Sequence, residues 1–208
     1  RGLAYYGSNV YRSTSNKLRG FSIRCLEDVT EGCTHPNATN YDETANVDDG
    51  SCEYETVQIG HQVWMQENLK ATHYRNGDVI PTGYSDSEWT NLSTGAYAVY
   101  DDAPSNADIY GNLYNWYTVD DSRGVCPAGW HVPSDDEYTV LTDYLGGAYN
   151  GAGGKMKEEG TSHWNSPNAG ATNESGFTGL PAGNRYGNGY YNDMGSNGYF
   201  WSSSEYDS

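Results

Sequence analysis

An α+β domain with long loops is the fold class that the sequence predicts, and three observations carry that expectation. Val57-Gln58-Ile59-Gly60-His61-Gln62-Val63-Trp64-Met65 alternates as strands do on either side of a glycine turn. Pro133-Ser134-Asp135-Asp136-Glu137 has the form of a helix start, with Ser134 as N-cap and Glu137 three residues on. From Gly147 to Gly198 glycine and asparagine are so frequent that compact loops must outnumber regular elements.

The chain divides into three pieces. In residues 1–28, Leu3, Tyr5, Val10, Tyr11, Phe21, Ile23 and Cys25 alternate with small or polar residues, and turn-formers interrupt at Gly7-Ser8-Asn9 and Ser15-Asn16. This pattern predicts two or three strands that need the rest of a sheet, because a short hairpin is marginal in water. Residues 29–55 hold seven acidic residues and no Lys or Arg, with too few aliphatic side chains to build a core. Residues 56–208 form the α+β domain. Within it the first helix is expected near Ala107–Val119, where Tyr110, Leu113, Tyr114 and Tyr117 stand at helical spacing. The second starts at the Ser134 cap, presents Tyr138, Leu141 and Leu145 on one face and ends at Gly146-Gly147. Asn76-Gly77-Asp78 marks a turn. Trp164, Phe177, Leu180 and Tyr199-Phe200-Trp201 are the expected anchors of the long loops.

Composition narrows the function classes. Twenty Tyr and 26 Gly against 3 Phe and 3 Met point to a core of amphipathic rings within loops. The net charge of −17 repels phosphate backbones and anionic membranes, so nucleic acid is not an expected partner. No membrane span is expected either, since no apolar run approaches about 18 residues. Charge is unevenly distributed: residues 1–28 carry five basic residues and two acidic ones, a net +3, which leaves −20 for the remainder. A basic segment attached to an acidic body is suited to docking on such a body, although solvated charges would look the same.

Four cysteines at 25, 33, 52 and 126 fit an oxidising compartment and point to an extracellular or cell-surface location. Zinc is the alternative, but no two of them have Cys-x-x-Cys spacing. Cys33 and Cys52 lie in one short polar segment and are the favoured pair, which leaves Cys25 and Cys126 for each other. In the same segment Asn46, Asp48 and Asp49, followed by Gly50, resemble a calcium turn; Asn40 and Asp42 add oxygen donors. The loop is not an EF-hand, yet calcium is the expected cofactor, with a disulfide-closed acidic linker without metal as the alternative.

No catalytic constellation is written in the sequence. His35, His61, His73, His131 and His163 are scattered, without His-Glu-x-x-His, a Gly-x-Ser-x-Gly elbow or a phosphate loop. His131, between Trp130 and Val132, is expected to be a core or turn residue. The expectation is therefore a protein that is not an enzyme.

Cys126-Pro127-Ala128-Gly129-Trp130-His131-Val132-Pro133-Ser134 closely resembles the Fibrobacter succinogenes major paralogous domain, a family of bacterial extracytoplasmic repeats. The resemblance extends to Ile59–Leu69, Tyr110–Trp116, Gly176–Gly183 and Phe200–Glu205. It implies a C-type-lectin-like domain with two helices, small antiparallel sheets and long loops, its first and last strands paired. Residues 32–52 separately resemble a calcium-binding-like linker of large secreted bacterial proteins, with His35 where that pattern usually has Asp.

The resemblance also implies a displaced register. In the family the Trp-Ser-Ser motif is followed by further strands that end in a phrase like Gly20-Phe21-Ser22-Ile23-Arg24-Cys25-Leu26; here that ending comes first. Placing Ser208 directly before Arg1 restores a continuous family-like sequence. The expectation is a tandem array in which residues 1–28 complete the preceding repeat and Cys126 bonds the Cys25 of a neighbour; a circular permutant is the alternative. The implied function is a structural repeat of a bacterial extracellular or cell-surface fibre, or of a giant repeat protein, whose partners are further copies of itself. A glycan-binding or adhesin module is the second reading, with Tyr186, Tyr190 and Tyr191 as candidate sugar contacts, although the calcium-dependent lectin signatures are missing.

Overall fold

A computed structural model describes residues 29–205. The strands expected within 1–28, and Cys25 with them, lie outside the described residues. The chain begins with an acidic connector in which β1 (Glu31–Gly32) pairs in parallel with β2 (Val47–Asp48). Such short strands cannot hold a segment whose only buried apolar side chains are Cys33 and Ala38. The expected Cys33–Cys52 disulfide joins its two ends, and Thr39 N–H to Glu53 O (2.7 Å) and Asp42 N–H to Cys33 O (2.9 Å) fasten the loop internally.

The body opens with the predicted hairpin. β3 (Thr56–Ile59) and β4 (Gln62–Met65) pair antiparallel, with Ile59 opposite Gln62 and only Gly60-His61 between them. Gly60 has φ +62°, as the first position of a tight hairpin turn demands. The described residues then form five short α-helices and two more strand pairings, a mixed α/β architecture. α1 (Asp86–Trp89) is capped by Ser85 and Glu88. β5 (Tyr97–Ala98) pairs with β6 (Leu113–Tyr114), and α2 (Pro104–Tyr110) lies between them in sequence. After α3 (Trp116–Val119) come α4 (Asp135–Tyr144) and α5 (Ala152–Met156), then the antiparallel pair β7 (Asn184–Arg185) and β8 (Tyr191–Asn192).

The expectation of two helices needs correction. The helix predicted across Ala107–Val119 is instead α2, β6 and α3 in succession. Gly111 ends α2 with φ +73°, where a Cβ would lie 2.7 Å from the Asn68 Cβ and 2.9 Å from Leu69 O. Residues 68–69 press against the turn there, and Asn112 N–H then donates to Leu69 O. Asn115 restarts the helix by accepting from Thr118 N–H. The ring spacing at Tyr110, Leu113, Tyr114 and Tyr117 thus mimics a helical face across two breaks. α4 follows its expectation closely: both bonds of the Ser134–Glu137 capping box form, three acids occupy the first turn, and Gly146 and Gly147 beyond it have positive φ.

Each pairing among the described residues is only two strands wide, so the body depends on packing between elements. Leu141 of α4 is fully buried against Ile59 and Trp64 of the hairpin, together with Leu145, Ala152 and Phe177. A second cluster gathers Ala71, Tyr74, Ile80 and Val125, and a third joins Trp89 to Ala96 and Ala98. No helix among the described residues is long and apolar enough to cross a membrane.

Candidate functional site: an aromatic groove

β4 and the extended chain after it, residues 62–69, form one wall of a groove of about 1060 Å³. Residues 112–116 and 125–133, with the start of α4, form others, and residues 182–187 and 199–201 close the outline. Rings dominate its surface. Trp64 and Phe177 meet edge to face at 5.7 Å, Phe200 packs on Phe177 at 5.5 Å, and Trp116 meets Trp201 at 5.5 Å. Trp201 Nε1–H donates to Tyr114 O (2.8 Å), and Ser203 N–H to Pro133 O (2.8 Å), which sets the last described residues along the groove.

Tyr199, Phe200 and Trp201 were expected to anchor the loops from inside. They are instead 51%, 41% and 49% exposed. Consecutive residues of an extended segment point to alternate sides, so three adjacent rings cannot all enter one core. Phe177, by contrast, is buried as expected.

Several polar side chains lining the groove are bonded within the fold. Gln62 Nε2–H donates to Glu137 O, Asn68 Nδ2–H to Tyr110 O, Asn115 Nδ2–H to Thr94 O, and Arg185 to Tyr84 O and Gly189 O. Gln62 Oε1, Trp64 Nε1 and Asn184 Oδ1, all on the lining, are buried without a hydrogen-bond partner among the described residues.

One arrangement at its edge imitates a catalytic triad. Ser134 Oγ–H donates to Glu137 Oε2 (2.9 Å), and His131 Nε2 lies 3.0 Å from Glu137 Oε1. The carboxylate stands in the middle, so the imidazole cannot take the serine proton; the unit is a helix cap with a histidine attached. His131, expected as a core or turn residue, is instead a largely exposed partner of Glu137. The serine amide and hydroxyl, with the histidine, hold the Glu137 carboxyl below its ordinary range. Cys126 faces the groove half-buried and forms no disulfide with another described cysteine. Burial lifts its thiol to about 11, with Arg75 opposing, which is the reverse of the lowered value a nucleophilic cysteine requires.

The connector meets the groove at its rim. Asn37 grips residues 68–70 with both ends of its amide: Nδ2–H donates to Asn68 O (3.0 Å) and Lys70 N–H donates to Oδ1 (2.6 Å). Tyr54 packs edge to face on Trp130 at 5.9 Å and on His35 at 5.5 Å. Burial holds His35 down at about 4, with Asp48 opposing, and lifts Tyr54 to about 12. Asn37 and Tyr54 were not among the sequence candidates; an Asn after Pro36 carries no sign of the distant backbone it pairs with.

The five calcium candidates serve local turns. Asp42 Oδ1 accepts from the Thr44 amide and hydroxyl, Asp48 Oδ1 from Gly50 N–H, and Asp49 Oδ1 from Ser51 N–H. Asn40 bridges Ser51 O and Glu53 N–H, and Asn46 Oδ1 accepts from Thr30 N–H. Among the described residues no group of three or more His, Cys, Asp or Glu side chains gathers as a metal holder. Of the three sugar candidates, Tyr186 and Tyr190 are exposed near the β7–β8 turn, where Tyr186 N–H donates to Tyr190 O. Tyr191 is drawn inward, its hydroxyl donating to Asp102 Oδ1 (2.7 Å) and its ring against Tyr100 and Arg185.

Comparison with known proteins gives one extended match, the Fibrobacter succinogenes major domain, over residues 57–208. Among curated proteins, ribulose bisphosphate carboxylase/oxygenase activase 1, chloroplastic, of Larrea tridentata is 73% identical over 26 residues. That stretch is 12% of this chain and 6% of the activase, too short to carry a likeness of fold. No solved structure matches the chain.

Proposed function

The chain belongs to the Fibrobacter succinogenes major domain family, and from that membership we propose that it is a non-catalytic structural repeat of a bacterial extracellular or cell-surface fibre or giant repeat protein. The carrying observation is the open aromatic groove, in which Tyr199, Phe200 and Trp201 stay about half exposed. Such a surface suits a polypeptide partner better than a small substrate. The disulfide-closed connector supports an oxidising location and supplies a stiff joint between units, docked on the body through Asn37 and Tyr54. In this reading the body is C-type-lectin-like and its partners are further copies of the same chain.

Calcium belongs to the proposal through Asn40, Asp42, Asn46, Asp48 and Asp49: the three aspartates spend Oδ1 on local turns, and convergence on an ion would draw their second carboxylate oxygens together. Cleavage between residues 28 and 55 that slows when calcium is added supports that rearrangement; equal cleavage assigns the joint to the disulfide alone. The function itself is tested by the mass of the native polypeptide and by its assembly state in electron micrographs. Long filaments or a repeat-containing chain are expected, and a folded, monomeric native protein near 23 kDa overturns the reading.

A glycan-binding module is the second reading, favoured by the exposed rings of Tyr186 and Tyr190. Glycan-array binding that is lost in Tyr186→Ala and Tyr190→Ala variants would establish it.

A further inference from the structure

We propose that Asn150 is a modification site selected by the fold: the Gly151 amide nitrogen closes on its side chain, and the residue is converted to aspartate and isoaspartate. The inference goes beyond the fibre reading and does not depend on it.

The chain contains four Asn-Gly pairs, at Asn76-Gly77, Asn150-Gly151, Asn188-Gly189 and Asn197-Gly198. Glycine after asparagine favours ring closure, because no Cβ shields the attacking nitrogen and the backbone turns freely. As dipeptides the four are equivalent. Two conditions separate them in the fold. The glycine N–H must be free of an acceptor, and the asparagine side chain must be free to swing over it.

Three of the pairs are held. Gly77 N–H donates to Tyr74 O (2.8 Å), and both ends of the Asn76 amide engage Asp78. Gly189 N–H donates to Tyr186 O (2.9 Å), and Asn188 Oδ1 accepts from Tyr190 N–H (3.1 Å). Asn197-Gly198 is fixed by pairing and by packing. Gly198 bridges to Gly183, Asn197 O accepts from Gly183 N–H (2.9 Å), and a Cβ at Gly198 would lie 2.6 Å from Leu180 O.

Asn150-Gly151, between α4 and α5, meets both conditions. Neither the Asn150 side chain nor the Gly151 N–H has a hydrogen-bond partner among the described residues, and both residues are exposed. The turn is anchored on either side of them, by Asn150 N–H to Gly147 O (2.9 Å) and Gly154 N–H to Gly151 O (3.0 Å), so the reacting groups stay neighbours. A Cβ placed on Gly151 would meet nothing within 4 Å, so no atom obstructs the closing ring.

In the reaction the Gly151 nitrogen attacks Asn150 Cγ. A C–N bond forms, the Cγ–Nδ2 bond breaks, and Nδ2 leaves as ammonia with the proton that Gly151 gives up. Water then opens the succinimide. Opening at Cγ gives aspartate; opening at the main-chain carbonyl gives isoaspartate, with the chain running through Cβ and Cγ. Either product adds a negative charge. Isoaspartate also lengthens the backbone just before Ala152, which is fully buried in one cluster with Leu141 and Leu145, so the change reaches the core.

The test incubates the full folded chain at mildly alkaline pH and follows all four peptides by mass spectrometry, with isoaspartate identified by methyl transfer from S-adenosylmethionine by an isoaspartyl carboxyl methyltransferase. Asn150 should convert about tenfold faster than each of the other three, the rate equivalent of the hydrogen bond those sites must first break. In denaturant the four rates should converge, and an Asn150→Gln chain should lose most of the methyl acceptance of the folded protein. Equal rates in the folded chain, a lead by Asn76, Asn188 or Asn197, or an Asn150 lead that persists in denaturant would each overturn the inference.

Discussion

Replacing Cys33 and Cys52 together by Ala should release the connector while leaving the body folded. The bond closes a loop with a sequence separation of 19. Loop-closure entropy for a ring of that size is worth about 3 kcal/mol, which corresponds to a roughly hundredfold change in the local opening equilibrium. Little else resists opening. Only Cys33 and Ala38 contribute buried apolar surface, and the Asn37 amide bonds to residues 68–70 contribute about 1–3 kcal/mol between them. Hydrogen exchange provides internal probes. The amides of Thr39 and Asp42, which donate to Glu53 O and Cys33 O, should lose about two orders of magnitude of protection, by the same arithmetic. Those of Ile80 and Leu145, which donate to Thr72 O and Leu141 O within the body, should keep theirs. The His35 ring, titrating at about 4 when packed beneath Tyr54, should return towards its ordinary value of 6.5. Unchanged exchange at Thr39 and Asp42, with His35 still titrating near 4, would refute the view that the disulfide holds this segment.

Other perturbations have equally direct readouts. His35 is depressed in the folded connector, so above pH 6.5 it is neutral in both states and costs nothing; between pH 6.5 and about 4 only the unfolded segment takes up the proton, and stability falls. Half-burial limits the loss to about 1–2 kcal/mol, and a His35→Phe variant should abolish this part of the pH dependence of cleavage between residues 28 and 55. Leu141→Ala empties the centre of the largest cluster and should cost about 2–5 kcal/mol in a denaturant titration. Ser134→Ala removes the α4 cap and should cost about 1 kcal/mol in the same assay. Gly111→Ala must place a Cβ at positive φ against Leu69 O and should cost more than the about 1 kcal/mol typical of point substitutions, measured as a fall in Tm.

Local punctuation was the legible part of the fold. The Gly60 turn, the Asn76-Gly77 turn, in which Gly77 N–H donates to Tyr74 O, and the Ser134 capping box each involve neighbours only a few residues apart, so their chemistry is written contiguously. The Cys33–Cys52 pairing was legible for a similar reason: both cysteines close one short polar loop. Where a pattern was read without its surroundings it misled, as in the helix drawn across Gly111 and Asn115. The groove was not legible. Trp64, Tyr114, Cys126, Phe177 and Trp201 are all visible as residues, but nothing in their spacing reveals that they share a surface. The one available signal was the run Tyr199-Phe200-Trp201, whose alternation forbids burying all three rings.

The sequence by itself determined where the chain turns, which helix is capped, which cysteines close the connector, how charge divides between residues 1–28 and the rest, and which family the body joins. Those properties follow from backbone preferences and from side chains acting on neighbours within a few residues. Only the tertiary structure decided that Cys126 looks into an aromatic groove, that Asn37 and Tyr54 dock the connector at its rim, and that the aspartates cap separate turns. These depend on distances between residues up to about 140 positions apart, as between Trp64 and Trp201 on one groove, and on burial, which is set by everything that packs around a side chain and not by its place in the sequence.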